Sequence, residues 1–191
     1  MADYSMDINT ITTLNLGSGK DWREDCFNVD ILPRTNPDWV YDICKPIDFP
    51  RLVPTKRFGE LIFMPEQFQT IIANDVLEHL PNLVTAMTNC LALLKVGGEM
   101  KIYVPYDLSY GAWQDPTHVR GFNERSWLYY TEWYWYLGWT TERFEKINLD
   151  WKLSEYGINL LEKGTPFDDD FLKIPRAIDG MYVILRKQYT T

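Results

Sequence analysis

The chain has 191 residues, of which 46% are hydrophobic and 24% charged, with a formal net charge of -8. That length holds one ordinary domain with a proper core and is short for two, and the composition is globular, not disordered. A protein that grips DNA or RNA needs basic surface to neutralise phosphates, so the acidic balance argues against nucleic acid as a partner.

In chain order, Met1 to Asn9 carries Asp3 and Asp7 and no apolar core, which is not the pattern of a signal peptide. Thr10 to Leu16 reads as a buried strand that stops at Gly17. Lys20 to Asp25 is short and polar, and Cys26 to Ile31 reads as the next strand. Only about ten residues separate Gly17 from that strand, fewer than a parallel crossover usually uses, so the first crossover helix should be a single turn or absent. Asp38 to Ile43 reads as a third short strand. Residues 45 to 66 carry Pro46, Pro50, Pro54 and Pro65 and read as an irregular insertion with room for one helical turn. Gln67 to Ala73 has the pattern of a buried parallel strand. From Asn82 to Lys95 apolar residues fall at 83, 84, 87, 91 and 94, a helical spacing, with Gly97-Gly98 placed as a C-cap before a fifth strand, Glu99 to Val104.

After Pro105 the pattern changes. Trp127 to Trp139 reads as helical and strongly aromatic, Arg143 to Leu153 and Met181 to Arg186 as two long strands, and Asp168 to Asp170 as a solvated loop. The alternation from 10 to 105 predicts a doubly wound, mostly parallel sheet. No stretch approaches the ~18 consecutive apolar residues of a membrane span. Cys26, Cys44 and Cys90 are odd in number and widely spaced, so they form neither a disulfide framework nor a zinc site; free thiols fit a cytoplasmic protein.

The glycine turn Gly17-Ser18-Gly19 after the first strand lets a ligand approach the backbone, and Asp30 near the end of the second offers a carboxylate to a ribose diol. A dinucleotide site would carry a third glycine where Trp22 stands and an acid further on than Asp30, so NAD and FAD are not expected.

Five pieces in order carry a resemblance. They are Leu14-Asn-Leu-Gly-Ser-Gly19 with Asn28-Val-Asp30, then Asp42-Ile43, Asp75-Val-Leu-Glu-His-Leu80, Leu94-Lys-Val-Gly-Gly-Glu99 and Asp115-Pro-Thr-His-Val-Arg-Gly-Phe-Asn123. Together the chain resembles the class I S-adenosylmethionine-dependent methyltransferases, in particular the type 11 group. The resemblance implies a Rossmann-like α/β fold of the seven-stranded type with a C-terminal antiparallel pair. It implies one domain over 1–191, with a cofactor half at about 10–105 and an acceptor loop and aromatic segment at about 106–140. It implies a cofactor set of Asn15, Gly17, Ser18, Gly19, Asp30, Ile31, Asp42, Ile43, Asn74 and Asp75. In that set the glycines line the amino-acid part, Asp30 holds the ribose, Asp42 and Ile43 flank the adenine, and Asn74 faces the methionine moiety or the acceptor. Two positions depart from the family's first motif. Asn15 stands where an acid is usual, and Asp21 where a third glycine is usual, from which Asp21 could supply the missing charge.

On the acceptor side, Asp115, His118 and Arg120 place an acid, an imidazole and a guanidinium in six residues after the fifth strand, above the carboxyl edge of the sheet. His118 has the chemistry of a base near neutral pH and Arg120 that of an anion fork. Equally, Asp115 and Arg120 could pair to brace the loop. Asp42 could simply start a turn, and Glu78 and His79 read as structural or as supporting the site from behind. The aromatic run from Trp127 to Trp139 suits core packing, an acceptor wall or a homodimer interface. The expected activity is methyl transfer from S-adenosylmethionine to a small molecule or saccharide, with no metal ligand cluster and no membrane partner. The rivals are an aminopropyl transferase on the same fold and a non-catalytic binding protein.

Overall fold

The computed structural model describes residues 10–190; the reading of Met1 to Asn9 lies outside them. The strands are β1 (Thr13–Leu16), β2 (Phe27–Asp30), β3 (Trp39–Val40), β4 (Arg51–Thr55), β5 (Gly59–Phe63), β6 (Phe68–Asn74), β7 (Leu94–Pro105), β8 (Glu142–Leu153) and β9 (Ile178–Tyr189). Seven form one sheet in the order β3-β2-β1-β6-β7-β9-β8, and β4 and β5 form a separate pair. β3, β2, β1, β6 and β7 run parallel, while β9 is antiparallel to both β7 and β8. The doubly wound sheet with a C-terminal antiparallel pair is therefore present. Its strand order reverses between β1 and β6, and such a reversal opens a crevice at the carboxyl ends of the strands.

No helix joins β1 to β2. A polar network takes its place. Asn15 Nδ2 donates to the Asp21 carbonyl at 2.6 Å and to Asn28 Oδ1 at 3.2 Å. Asn28 also accepts from the Arg23 amide and donates to the Arg23 carbonyl, and its own amide donates to Asp38 Oδ2 at 2.7 Å. Arg57 then pairs with Asp38 at 2.6 Å. Asn15, Asn28 and Asp38 are buried, so each bond answers a group that burial would otherwise leave unpaired.

Residues 45–66 are not an irregular insertion. They contain the hairpin of β4 and β5, in register from Arg51 opposite Phe63 to Thr55 opposite Gly59. The prolines mask it, because Pro54 sits in a two-stranded pair where a missing amide is tolerated. The hairpin covers the sheet with Val53 and Phe63, both fully buried, each worth about 1.5–3 kcal/mol. Phe63 packs 5.1 Å from Phe27 and 5.7 Å from Phe68.

Helix α1 (Leu83–Leu93) forms as its apolar spacing predicts, with Asn82 Oδ1 accepting from the Thr85 amide at its start. Gly97-Gly98 does not cap it. The chain turns extended at Leu94 and enters β7 directly. The glycines sit in a bulge between the Phe68–Leu94 and Thr70–Glu99 pairs, where Gly97 takes φ 80. The third strand is also shorter than expected, only Trp39–Val40.

Before the last two strands lie α2 (Tyr110–Gln114) and α3 (Leu128–Thr131). The aromatic run is two short pieces, α3 and a 3-10 turn at Tyr134–Leu137, not one helix. Gly138 at φ 79 turns the chain so that Trp139 re-enters the core, where its indole N–H donates to Thr88 on α1 at 3.0 Å. Trp127, Tyr130 and Trp139 are buried, while Trp135 and Tyr136 stay 64% and 69% exposed. A further helix, α4 (Glu155–Glu162), starts at Ser154, whose hydroxyl accepts from the Gly157 amide. Asp168–Asp170 is an exposed turn, as expected. No helix among the described residues is long and apolar enough to cross a membrane.

Candidate active site

A cleft of about 610 Å3 opens at the strand-order reversal, lined by Leu16, Gly17, Asp30, Ile31, Leu32, Tyr41, Asp42, Ile43, Cys44, Asp75, Val76 and His79 among others. That volume lies within the roughly 300–1,000 Å3 of small-molecule sites. Gly17 makes the turn at φ 62, and a side chain there would run into Val76 at 2.4 Å. Asp30 Oδ2 accepts from the Gly19 amide and Oδ1 from the Leu32 amide, both at 2.8 Å. The two bonds fix the carboxylate at the cleft wall and leave each oxygen with further accepting capacity. Ile31 and Leu32, next along the chain, are 58% and 42% exposed, an apolar wall beside a carboxylate.

Asp42 lines the cleft and also accepts from the Cys44 amide at 3.0 Å, so the turn and the wall are the same residue. Ile43 is held from behind by Asn89 of α1. Its amide donates to the carbonyls of Ile43 and Lys45, and its oxygen accepts from the Ile47 amide. Asp75 follows β6 in left-handed backbone at φ 51, a conformation Asp tolerates better than most residues.

Four residues of the expected cofactor set do not line this cleft: Asn15, Ser18, Gly19 and Asn74. Asn15 points into the polar network that replaces the first helix. Ser18 is buried, with its amide on the Val29 carbonyl. Gly19 contributes its amide to Asp30, and Asn74 stands exposed at the end of β6. Asp21 does not supply charge to the cleft either; it pairs with Arg23 at 2.6 Å on the surface.

The segment after β7 is laced onto the turn at Leu77–His79. The Val119 amide donates to the Glu78 carbonyl at 2.9 Å, and Arg120 Nη2 donates to the carbonyls of Leu80 and Pro81 at 2.6 and 3.2 Å. Arg120 Nη2 is thus committed to backbone, while its Nε is buried without a partner among the described residues. No ion pair joins it to Asp115 among the described residues, which corrects the alternative reading as well. Asp115 instead accepts from the Thr117 amide and hydroxyl at 2.8 and 2.7 Å. The Thr117 hydroxyl holds its carboxyl below the usual range, which makes Asp115 a poor base.

His118 reaches inward. Its Nδ1 lies 2.9 Å from the Ala112 carbonyl, which can only accept, so Nδ1 carries the proton. Its Nε2 faces Glu78 Oε1 at 4.0 Å. His79 Nδ1 lies 2.9 Å from Thr117 Oγ1; because that hydroxyl donates to Asp115, the ring nitrogen is the donor here too. Glu78 is 1% exposed, and burial pushes its carboxyl up to about 7.

A second cleft, about 490 Å3, adjoins the first at Asp75 and is lined by Glu78, Tyr103, Tyr110, Gln114, Asp115, His118, Lys152 and Asp179, with Pro105 and Gly111. Sequence reading missed Leu32, Tyr41, Cys44 and Val76 on the first cleft and Tyr103, Lys152 and Asp179 on the second. Leu32 and Cys44 adjoin Ile31 and Ile43 and could have been found by adjacency. Lys152 and Asp179 come from β8 and β9, and no local pattern marks them.

No protein-family model matches the chain, and no curated protein matches it in sequence. Solved structures match its fold. A SAM dependent methyltransferase from Archaeoglobus fulgidus superposes with a TM-score of 0.52 at 15% identity, over 94% of this chain and 89% of the other. The YcgJ protein from Bacillus subtilis gives 0.54 at 13%, over 94% and 92%. The cyclase SpnF gives 0.53 at 15%, over 93% and 75%. At such identities the likeness is one of fold, and one neighbour is named for a different chemistry. The chain has the Rossmann-like fold of the class I S-adenosylmethionine-dependent methyltransferases.

Proposed function

We propose that the chain, as one domain over residues 1–191 of the cytoplasm, transfers a methyl group from S-adenosylmethionine to a small-molecule or saccharide acceptor. The observation that carries this reading is the Asp30 carboxylate, pinned by two backbone amides at the carboxyl end of β2, between the Gly17 turn and the exposed apolar Ile31. A ribose diol needs that acceptor, and an adenine needs that apolar wall. When bound, the cofactor supplies a sulfonium whose methyl carbon is electrophilic.

In this reading Asp30 accepts from the ribose hydroxyls, Ile31 and Ile43 flank the base, and Asp42 stands at its edge. Gly17 gives room for the amino-acid part, and Asp75 lies where the two clefts meet. Asn15, Ser18 and Gly19 shape the loop from behind, and Asn74 marks its rim. The acceptor occupies the second cleft, against His118; Asp115 and Arg120 hold the loop that carries His118 in place. The residues' work is positioning and the exclusion of water. Tyr129, Trp133, Trp135 and Tyr136, exposed together, form the surface we assign to self-association.

The second cleft carries Asp75, Glu78, Asp115 and Asp179 against Lys152 and His118. That acidity favours one second reading, aminopropyl transfer to a polyamine from the decarboxylated cofactor. Native mass spectrometry separates the two. Methyl transfer predicts a one-to-one adduct with S-adenosylmethionine or S-adenosylhomocysteine. An adduct with the decarboxylated cofactor alone supports the second reading, and no adduct with any of the three contradicts both.

A further inference from the structure

The chain has two histidines in all, and the fold brings both into one edge-to-face contact, with centroids 4.5 Å apart and planes at 80°. Glu78 joins them: one donor atom from each of Glu78, His79 and His118 lies within 4.8 Å of the other two. Glu78 is 1% exposed, and neither of its carboxylate oxygens has a hydrogen-bond partner among the described residues. His118 Nε2, at 4.0 Å, is too far for such a bond. A buried carboxylate without a partner is costly, and native proteins pair such groups or use them to coordinate a metal.

We propose that Glu78, His79 and His118 form a binding site for one divalent transition-metal ion of the zinc class, set between the two clefts. Two imidazoles and a carboxylate are the donor types such an ion prefers. Both rings are prepared for the role. Each has its Nδ1 engaged, His118 on the Ala112 carbonyl and His79 on the Thr117 hydroxyl that in turn donates to Asp115. Among the described residues neither makes a hydrogen bond at Nε2. Metal-binding histidines are oriented in this way through the nitrogen that does not bind.

A tetrahedral ion with bonds of about 2.1 Å sets its ligand atoms ~3.4 Å apart. The three donors must therefore draw in by about an ångström, which small side-chain rotations supply. Three protein ligands with one open position is the pattern of catalytic, not structural, zinc. Glu78 and His118 line the second cleft and His79 the first, so the open position lies at their junction. There the ion's charge would stand against an acceptor oxygen, and His118 would serve as a ligand in place of a base. That last step rests on the methyl-transfer reading; the binding of the ion does not.

The test uses the full chain without a histidine tag, stripped of metal by a chelator. Cobalt(II) is titrated with visible absorption as the readout, and zinc(II) is then added while histidine-ring NMR signals are followed. One equivalent of cobalt should raise a visible band that zinc abolishes, and both histidine rings should shift. His79→Gln and Glu78→Gln should each weaken cobalt binding by about tenfold or more. A folded wild type with no one-equivalent band overturns the proposal, and so does a band unchanged in His79→Gln. Should Glu78→Gln fail to fold, the half-exposed His79 carries the comparison. Calorimetry with S-adenosylhomocysteine on the metal-free protein keeps the two readings apart. Cofactor binding without cobalt binding removes only this site, and cobalt binding without cofactor binding removes only the transferase reading.

Discussion

Cys44 reports on the cleft directly. It lines the cleft wall beside Asp42 and Ile43 and is half-buried, whereas Cys26 and Cys90 are buried outright. Burial raises all three thiols, Cys26 to about 11 and Cys90 to about 12. Since the thiolate is the nucleophile, a raised thiol reacts slowly at neutral pH and faster as pH climbs toward its own value. Iodoacetamide should therefore modify Cys44 first, at a rate that rises through mildly alkaline pH, and S-adenosylhomocysteine should slow it about tenfold or more. Peptide mass spectrometry over time reads this; equal rates with and without the ligand would place the ligand elsewhere. At this scale the sequence was legible where chemistry and backbone demand coincide. Gly17 needs positive φ and sits against Val76, and Asp30 ends a strand whose partner loop offers amides. It was illegible where a polar side chain had two uses. Asn15 and Arg120 are the types that touch ligands, yet Asn15 Nδ2 and Arg120 Nη2 each donate to backbone carbonyls that the missing first helix and the 77–81 turn leave open. The closeness of Glu78 and His79 to His118 was illegible too, because His118 arrives from a distant loop.

Among the elements, α4 is placed by one atom's absence. A Cβ on Gly157 would lie 2.0 Å from the Ala177 carbonyl oxygen, which is backbone and cannot swing away. The same carbonyl region receives the Ser154 amide and hydroxyl, so the helix start is locked to the chain entering β9. Gly157→Ala should therefore destabilise the fold by about 2–3 kcal/mol, as overpacking does. For a chain of this size that lowers the melting temperature by roughly 4–12 °C. Differential scanning calorimetry checks it, and an unchanged or raised melting temperature would show that α4 does not pack this closely. The parallel strands were legible because they are short apolar runs ended by glycine or polar residues. The β4–β5 hairpin was not, since its prolines mimic a loop. Nor was the break in the aromatic segment, because consecutive large aromatics satisfy any helical face and only Gly138 betrays the turn. A bulge at Gly97 and a helix cap carry the same sequence signal, because both call for positive φ.

For the molecule as a whole, the strand order puts two clefts on one edge of the sheet and shares Asp75 between them. One cleft has the carboxylate, glycine turn and apolar wall of a nucleoside site; the other is acidic and holds both a histidine and the buried Glu78. The doubly wound sheet was foreseeable from the alternation of elements, and its C-terminal antiparallel pair from the family resemblance. The second cleft was not, because its walls come from β7, β8, β9 and the loop after β7, which meet only in the folded sheet. The central claim is that the first cleft binds the methyl-donor cofactor through Asp30. Isothermal titration of S-adenosylhomocysteine into the wild type and into Asp30→Ala tests it most directly. Binding should be one-to-one in the wild type. It should weaken by about 2–4 kcal/mol in the variant, roughly 30- to 1,000-fold, because charge-assisted bonds to the ribose are lost. A wild type that gives no binding heat at millimolar ligand, or a variant that binds as tightly as the wild type, would contradict the claim.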